Sequence, residues 1–290
     1  YYASLEADQD KPLLNRPIVS LNPPGSTFKL VTAAAALASG RFTPDSVIPG
    51  PRTYQLPDST HKIRNWNGQS CGPGDLVTLR QALAISCNTA FAWLGNELGD
   101  DALRAQAELM GFDTSFEIPL RAATSRYPED PDAPQTAMTA IGQFDVRATS
   151  LQMAMVASAI ANNGVLMNPY LVQEVRGPDL AILQTTAPSE FETAMTPLYA
   201  SQLTDMMVNV VENGTGSNAR IPGVRVAGKT GTAQTGNDNP AVAWFVAFAP
   251  ATSPQVAVAV TVEDAGAPEV SGNQLAAPIA KAVIQAILRR

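Results

Sequence analysis

The sequence predicts an α+β fold, in which helices flank an antiparallel sheet and the middle of the chain forms a mainly helical subdomain. In the last third, residues 223–235, 241–249 and 255–262 are strand-like, and short turns such as the one at residues 236–240 separate them. Short connections join antiparallel neighbours, so these segments predict a meander. Helical patterns before and after this run place helices on both faces of the sheet.

Helices are predicted from apolar periodicity and from capping residues. One begins at Ser26 and ends near Gly40, and the others cover residues 78–84, 89–98, 101–110, 149–162, 197–213 and 275–288. Residues 1–22, which include Pro17-Ile18-Val19, indicate an extended lead-in. Prolines favour loops over residues 41–73 and 114–134, and residues 170–175 are β-like. Within the first of these regions, residues 62–68 are interpreted as a surface loop with Trp66 as its hydrophobic anchor. We expect one domain over residues 1–290, with an approximate helical and loop subdomain inserted at 41–148.

The composition excludes several classes of protein. Hydrophobic residues make up 45% of the 290 residues and charged residues 16%, which is typical of a globular domain. A formal net charge of -7 argues against general nucleic-acid binding, because neutralising phosphates requires a basic surface. No apolar run reaches the ~18 residues of a membrane span. The chain opens on Tyr1 without a signal peptide, so we expect a fragment or processed form whose membrane anchor or export signal lies outside it.

The segment Pro23-Pro24-Gly25-Ser26-Thr27-Phe28-Lys29 carries the first chemical motif. Ser26 and Lys29 are three residues apart, so on a helix the hydroxyl and the amine share one face and the amine can take the hydroxyl proton. This is the S-x-x-K arrangement of acyl-serine enzymes. The alternative is that Ser26 only caps the helix and that Lys29 is a solvated helix residue.

The histidine and cysteine counts narrow the possible chemistry. The single histidine, His61, would have to serve any Ser-His-Asp triad, and a zinc site would need His61 together with Cys71, Cys87 and carboxylates. The two cysteines are either one disulfide or two unrelated buried thiols. We expect no metal and no cofactor. Cys87 has no base in the sequence and is therefore interpreted as packing or a disulfide half rather than as a nucleophile.

Two further motifs follow the first in order. Ser86-Cys87-Asn88 falls between two predicted helices, and Lys229-Thr230-Gly231-Thr232 falls on a predicted strand. Each motif alone is weak, because the former could be a helix cap and the latter the start of an exposed strand. The ordered set, in a chain with one histidine, favours a serine acyl-transfer site.

The chain resembles the transpeptidase domain of class B penicillin-binding proteins over nearly its whole length, and most of all the actinobacterial PbpA-type members that act in cell division. The resemblance rests on the three motifs and on neighbouring segments, which are Ile63-Arg64-Asn65-Trp66-Asn67, Gln81-Ala82-Leu83, Thr89-Ala90-Phe91, Ile141-Gly142-Gln143, Leu151-Gln152-Met153-Ala154 and Ala227-Gly228 through Ala233-Gln234. It implies the penicillin-binding and β-lactamase-like serine transpeptidase fold.

A role for each motif residue follows from the chemistry and the resemblance. Lys29 is the natural base for Ser26, if burial and a nearby positive charge on Lys229 keep its amine partly neutral. Ser86 can relay a proton to the leaving amine, and Asn88 can hold Lys29 and a substrate amide.

The strand motif has a role in binding. The resemblance implies that Thr230 and Thr232 bind the substrate's terminal carboxylate with Lys229, that Gly231 keeps the strand approachable, and that backbone N–H groups of Ser26 and Thr232 form an oxyanion hole.

The chain departs from the family in two places. The non-catalytic N-terminal domain, its anchor and probable first sheet strands are expected outside this fragment. After Gly142-Gln143 the chain has Phe144-Asp145, where the family more often has a small residue, and this change is expected to alter one wall near the site.

Our hypothesis is a serine D,D-transpeptidase that cross-links peptidoglycan stem peptides through an acyl-enzyme on Ser26 and is acylated by β-lactams. The resemblance implies an extracytoplasmic, membrane-anchored protein that acts with other division proteins in septal wall synthesis. One alternative is a β-lactamase or D,D-carboxypeptidase, although the Glu-x-x-Leu-Asn element of class A β-lactamases is absent. Another is a β-lactam sensor or a division scaffold that acylates poorly.

Overall fold

Helices and short strands alternate along the chain, in a computed structural model that describes residues 1–234, 241–263 and 270–289. Over these residues the helices are α1 (Tyr2–Glu6), α2 (Arg16–Val19), α3 (Lys29–Ala38), α4 (Leu79–Ala84), α5 (Asn88–Leu98), α6 (Asp100–Leu109), α7 (Ala133–Thr139), α8 (Ser150–Ala161), α9 (Pro197–Asn213) and α10 (Ala277–Leu288). The strands are β1 (Val47–Pro49), β2 (Thr53–Gln55), β3 (Lys62–Arg64), β4 (Leu76–Thr78), β5 (Val165–Met167), β6 (Glu174–Arg176), β7 (Ile182–Thr185), β8 (Glu190–Thr193), β9 (Ala227–Ala233), β10 (Val242–Ala249) and β11 (Val256–Val262).

The last three strands form the antiparallel meander that the sequence predicts. The strand order is β11-β10-β9, with Trp244 of β10 opposite Gly231 on one side and Thr261 on the other. The first strand begins at Ala227, because Gly223 adopts a φ of +77° in a preceding turn. The predicted turn at 236–240, like Thr235, lies outside the described residues. Within the described ranges, the second edge of β11 pairs with no strand.

Helices cover both faces of this sheet, as predicted. Alternate residues of β10 point to opposite faces. Trp244, Val246 and Phe248 join the larger core, which also contains buried residues of α3, α8 and α9. The neighbouring residues Phe245 and Ala247 join a second core with α10. Burial of a large apolar side chain contributes about 1.5–3 kcal/mol to the stability of the fold. Packing on both faces therefore stabilises the sheet and fixes the position of β9.

The predicted helices in the middle and at the end of the chain are confirmed within two residues at either end. Thr78 and Thr149 cap α4 and α8 as expected, since each side chain accepts a hydrogen bond from a first-turn N–H, at 3.2 Å for Thr78 and 3.1 Å for Thr149. Helix α9 has the predicted bounds. Helix α10 begins two residues later than predicted, with Pro278 in its first turn.

One proline-containing segment was predicted wrongly, and the loop predicted over residues 114–134 extends two residues too far. The lead-in is not extended, because it contains α1 and α2, and α2 has Pro17 in its first turn. Helix α7 begins inside the stretch predicted as a loop and has Pro134 in its first turn. There the Asp132 side chain accepts from the N–H of Gln135, while the Gln135 side chain accepts from the N–H of Asp132. Proline suits a first turn, so it marked the starts of these helices rather than loops.

Short strand pairs occupy two other regions. Strand β1 pairs with β4, and β2 pairs with β3. These strands lie in the predicted proline-rich loop region or just after it. Together with α4 to α7 they make up the described elements between residues 41 and 148, and the subdomain boundary there stays a prediction. Strands β5 to β8 form two further pairs, and the predicted β-like segment at 170–175 is replaced by a strand at Glu174–Arg176. None of the helices in the described ranges has the length and apolar character to cross a bilayer.

Candidate active site

Ser26 lies in a single 3-10 turn, Gly25–Phe28, that leads into α3. The helix proper therefore begins at Lys29, three residues later than predicted. Gly25 has a φ of +52°, and a Cβ there would lie 2.8 Å from the Thr232 carbonyl oxygen. Only glycine fits both the conformation and the space. The turn is fixed further by the Trp244 indole, which donates to the Pro23 carbonyl at 3.0 Å.

Lys29 is fully buried, and its Nζ lies 3.0 Å from the Oγ of Ser26. The same amine lies 2.7 Å from Oδ1 of Asn88 and 3.2 Å from Oγ of Ser86, and it donates to the Ser86 carbonyl at 2.8 Å. The alternative interpretation of Lys29 as a solvated residue is wrong. The position before the 3-10 turn is Pro24, and no side chain caps the turn, so Ser26 is not a cap.

Ser86 occupies a left-handed turn, with a φ of +59°, between α4 and α5. A non-glycine residue in this region is strained, and such strain often accompanies functional sites. The capping position of α5 is Cys87, whose side chain makes no capping hydrogen bond. Asn88 donates through Nδ2 to the Arg64 carbonyl at 3.1 Å, which leaves its Oδ1 facing Lys29. The motif therefore serves the site rather than the helix end.

Lys229 lies on β9 and is also fully buried, so it is not the start of an exposed strand. Its Nζ lies 2.9 Å from Oγ of Ser86, so this hydroxyl contacts both lysines. Burial lowers the pKa of Lys29 well below the ordinary lysine value, and the charge of Lys229 lowers it further. Burial lowers the pKa of Lys229 to about 7. Both amines can therefore exist in the neutral form near neutral pH.

The rest of the strand motif lies along the edge of β9 that faces the Ser26 turn. Thr230 is buried and Thr232 exposed, and alternation places both side chains on one face. Gly231 is a packing requirement, because a Cβ there would lie 2.9 Å from Cγ2 of Thr27 and 3.0 Å from the Pro24 carbonyl oxygen. The contact between Gly25 and Thr232 sets the backbone of the Ser26 turn beside that of Thr232, where the oxyanion hole is predicted.

Cys71 and Cys87 form a disulfide, with their Cα atoms 6.0 Å apart. This is one of the two arrangements that the sequence left open. The bond ties the loop after Trp66 to the Ser86 turn. Asn65 strengthens the tie, because its Oδ1 accepts from the N–H of Thr89 at 3.1 Å and its Nδ2 donates to the Gln69 carbonyl at 2.8 Å.

Trp66 is not the anchor of its loop, since 83% of its surface is exposed. The sequence favoured a hydrophobic anchor at this position, whereas the loop is held by the polar side chain of Asn65 beside it. A tryptophan held in the open beside Ser86 is a feature that the sequence pattern did not indicate.

Sequence reasoning also missed Thr215. Its Oγ1 lies 2.6 Å from Oγ1 of Thr230, and its N–H donates to the Ala84 carbonyl at 3.0 Å. A Cβ on Gly214 would lie 2.2 Å from the same carbonyl oxygen, so the loop after α9 packs tightly on the end of α4. Thr215 thereby joins the strand motif to the helix that precedes Ser86. The glycines that flank it, Gly214 and Gly216, were the available signal, but only Gly214 was interpreted, as part of a helix stop.

Phe144 adopts a φ of +63° and is partly exposed. This conformation favours glycine, which explains why a small residue is more usual there. Two residues earlier, the carbonyl of Gly142 accepts from the N–H of Gly25 at 3.0 Å, so the Phe144 loop abuts the Ser26 turn. That Phe144 alters one wall near the site stays a prediction.

No group of three histidine, cysteine or acidic side chains that could hold a metal occurs in the part of the chain that the structure describes. The site residues brought together are a hydroxyl, two buried amines, a second hydroxyl and an amide. Such a set can transfer protons and stabilise negative charge on oxygen.

Known proteins are similar to this chain in sequence and in fold. Residues 2–285 match the penicillin binding protein transpeptidase domain. The chain is 48% identical to peptidoglycan D,D-transpeptidase PbpA of Mycolicibacterium smegmatis over 99% of its length, and 46% identical to PbpA of Mycobacterium tuberculosis over 96%. It spans 59% and 57% of those relatives.

The chain is also similar in fold to solved structures of penicillin-binding protein A. A penicillin G acyl-enzyme complex of penicillin-binding protein A from M. tuberculosis superposes with a TM-score of 0.92 at 45% identity, over 99% of this chain and 66% of that one. A cephalosporin acyl-enzyme complex of the same protein gives a TM-score of 0.95 at 44% identity, over 99% and 65%. The chain belongs to the penicillin-binding protein transpeptidase family.

Proposed function

We propose that this chain is the catalytic domain of a serine D,D-transpeptidase that cross-links peptidoglycan stem peptides. The observation that carries the proposal is the 3.0 Å contact between Ser26 Oγ and the buried Nζ of Lys29. A serine hydroxyl needs a base that accepts its proton, and a buried lysine with a lowered pKa is such a base. The names of the relatives and the acyl-enzyme structures of penicillin-binding protein A support the same reaction.

Acylation begins when Ser26 Oγ attacks the carbonyl between the two terminal D-alanines of a stem peptide. Lys29 takes the hydroxyl proton, and N–H groups of Ser26 and Thr232 stabilise the oxyanion, where one donor is worth about 3 kcal/mol. Ser86 contacts both amines and relays the proton to the departing nitrogen. D-Alanine then leaves, and Ser26 carries the acyl group as an ester.

The carboxylate of the terminal D-alanine binds at Thr230, Thr232 and Lys229. The hydroxyl of Thr230 has a fixed position through Thr215, and the positive form of Lys229 attracts the anion. A bound carboxylate favours that charged form, so the substrate itself raises the positive charge that holds it. β-Lactams carry the same anionic group beside a reactive carbonyl, and therefore acylate Ser26.

Transfer completes the cycle. An amine from a neighbouring stem peptide attacks the ester, the new amide bond forms, and a proton returns to Ser26 Oγ. The test is to incubate the purified, full-length protein with diacetyl-Lys-D-Ala-D-Ala and the acceptor glycinamide. Release of D-alanine with formation of the glycinamide adduct supports a transpeptidase, release with hydrolysis alone favours a D,D-carboxypeptidase, and no release from a folded sample favours a binding or scaffold role.

We further propose that the longer protein is anchored in the cell membrane, acts outside the cytoplasm and works with division proteins at the septum. The disulfide supports an oxidising compartment, because such bonds persist outside the cytosol. Among the described residues no strand pairs with the outer edge of β11, and this supports an additional strand from the longer chain, since a long apolar edge is rarely left open. A fluorescent fusion of the full-length protein should concentrate at division sites, whereas uniform labelling of the envelope would contradict the septal role.

A further inference from the structure

A cleft of about 210 Å³ opens beside the site at Ser86. One wall is the loop that carries Trp66 and Asn67, and the other is formed by Asn213 at the end of α9 and by Thr215 in the loop that follows. We call this feature the Trp66 cleft. Its floor is the Ser86 turn, whose hydroxyl contacts Lys29 at 3.2 Å and Lys229 at 2.9 Å. The cleft therefore leads directly to the proton-relaying group.

The walls of the Trp66 cleft are held in place before any ligand binds. Asn65 ties the first wall to Thr89 on α5, and the disulfide ties the same loop to the Ser86 turn. On the second wall, the N–H of Thr215 donates to the Ala84 carbonyl. A large aromatic side chain that is 83% exposed on such a fixed loop costs little to order on binding, and it offers a broad contact surface.

The chemistry of the cleft favours a neutral, amide-rich ligand. Among the described residues that line it, none carries a formal charge, and Asn65, Asn67 and Asn213 supply amide groups. The positive form of Lys229, which contacts the hydroxyl of Ser86 at the floor, disfavours an ammonium group, so an amine that enters is favoured in its neutral form. A neutral amine is the nucleophilic form.

The position of the cleft matches the direction from which the second substrate must arrive. Forming the new amide is the reverse of breaking the old one, so the attacking nitrogen takes the place of the departing nitrogen. That nitrogen belongs to the D-alanine whose carboxylate lies at Thr230, and Thr230 contacts Thr215 in the wall of the cleft. A stem peptide is much larger than D-alanine and needs space beyond this point, which the Trp66 cleft provides.

We infer that the Trp66 cleft binds the peptide that carries the attacking amine, with Trp66 packed against its backbone or side chain. This inference rests on the proposed function and assigns it a second substrate site. The bound amine attacks the carbonyl of the Ser26 ester, a C–N bond forms and the C–Oγ bond breaks. The amine proton passes through Ser86 and Lys29 to Oγ of Ser26, which regenerates the hydroxyl.

The test measures the ratio of transfer to hydrolysis for two acceptors of different size. The full-length protein is given diacetyl-Lys-D-Ala-D-Ala as donor, with either glycinamide or the peptide Nα-acetyl-lysyl-alanine amide as acceptor, and the products are quantified by mass spectrometry. In Trp66→Ala the ratio should fall about tenfold for the peptide acceptor and change less than about twofold for glycinamide. Trp66→Phe should retain most of the transfer to the peptide.

Tyr170→Ala is the matched control, because Tyr170 is an aromatic residue that is 40% exposed and lies outside the cleft. It should change neither ratio. The inference is overturned if Trp66→Ala leaves the peptide ratio unchanged, if both acceptors lose transfer equally, or if only donor consumption falls, which would assign the cleft to the donor. A wild-type protein that neither releases D-alanine nor is acylated by benzylpenicillin would instead overturn the proposed function.

Discussion

Lys29 Nζ lies 3.0 Å from Ser26 Oγ inside the protein, with the lysine fully buried and the serine partly exposed. The base and the nucleophile are thus in contact before substrate arrives. Ser26 lies in a 3-10 turn, and Lys29 is the first residue of α3. This placement lets the solvent-facing hydroxyl of Ser26 contact the buried amine of Lys29.

Replacement of Lys29 by alanine should slow acylation of Ser26 by benzylpenicillin about 10²- to 10⁴-fold, because the hydroxyl loses its base. The stopped-flow acylation rate measures the effect, and circular dichroism checks that the fold is kept. Lys281→Ala on α10 is the control, since Lys281 lies on the opposite side of the sheet from Lys29. Acylation at the wild-type rate in a folded Lys29→Ala protein would rule out Lys29 as the base.

The second-order rate constant of acylation should have a bell-shaped dependence on pH. It rises as Lys29 loses its proton, at a pH well below the ordinary lysine range, because burial and Lys229 lower that pKa. It falls at higher pH as Lys229, with a pKa of about 7, loses the charge that attracts the β-lactam carboxylate. The two limbs belong to the interacting pair rather than to single residues.

Stopped-flow acylation from acidic to alkaline buffer measures the profile, and Lys229→Ala should remove the falling limb. A rate that keeps rising to about pH 10, where an ordinary lysine titrates, would contradict the lowered pKa of Lys29.

Thr215→Val should weaken binding of carboxylate-bearing substrates, because Thr230 loses the hydrogen bond that fixes its hydroxyl. We expect KM to rise about 3- to 10-fold, the effect of one neutral hydrogen bond, with a smaller change in kcat. Thr215→Ser keeps the hydroxyl and should restore KM. Thr204→Val is the control, since Thr204 bonds only within α9. A fall in kcat at constant KM would show that Thr215 does not act through the carboxylate site.

Much of this fold could be predicted from the sequence, because capping and stop residues mark the ends of several elements. Helix α9 starts at a proline after a capping threonine and stops at Asn213-Gly214, and its observed bounds are those predicted. The meander of β9 to β11 follows from its short connections. Helices α2 and α7 could not be recognised as easily, because their first-turn prolines were taken as loop signals.

The site residues that belong to sequence motifs could be predicted, whereas those whose role depends on packing could not. Ser26, Lys29, Ser86, Asn88 and Lys229 come together as the motif order indicates. Thr215 was missed because its partner Thr230 is fifteen residues away across a turn and no local pattern joins them. Trp66 was predicted to anchor its loop, a role that Asn65 has in the structure. The sequence shows that Trp66 is large and apolar, but it does not show that Asn65 has buried hydrogen-bond partners.

The Cys71–Cys87 disulfide should be intact in the full-length protein, with an intact mass lower by two hydrogen atoms under non-reducing conditions. It closes a loop over a sequence separation of 16, so Cys71→Ser with Cys87→Ser should lower the free energy of unfolding by about 3 kcal/mol. Denaturant unfolding with and without reductant measures the loss. Thiol labelling of both residues in the unreduced native protein would show that the bond is not formed.

The most direct test of the account is an intact-mass time course of the full-length protein with benzylpenicillin, followed by peptide mapping of the adduct. We expect one long-lived adduct per chain, located on Ser26. An adduct that forms and disappears within seconds would indicate a hydrolase instead of a transpeptidase. An adduct on another residue, or none on a demonstrably folded sample, would contradict the assignment of Ser26 as the nucleophile.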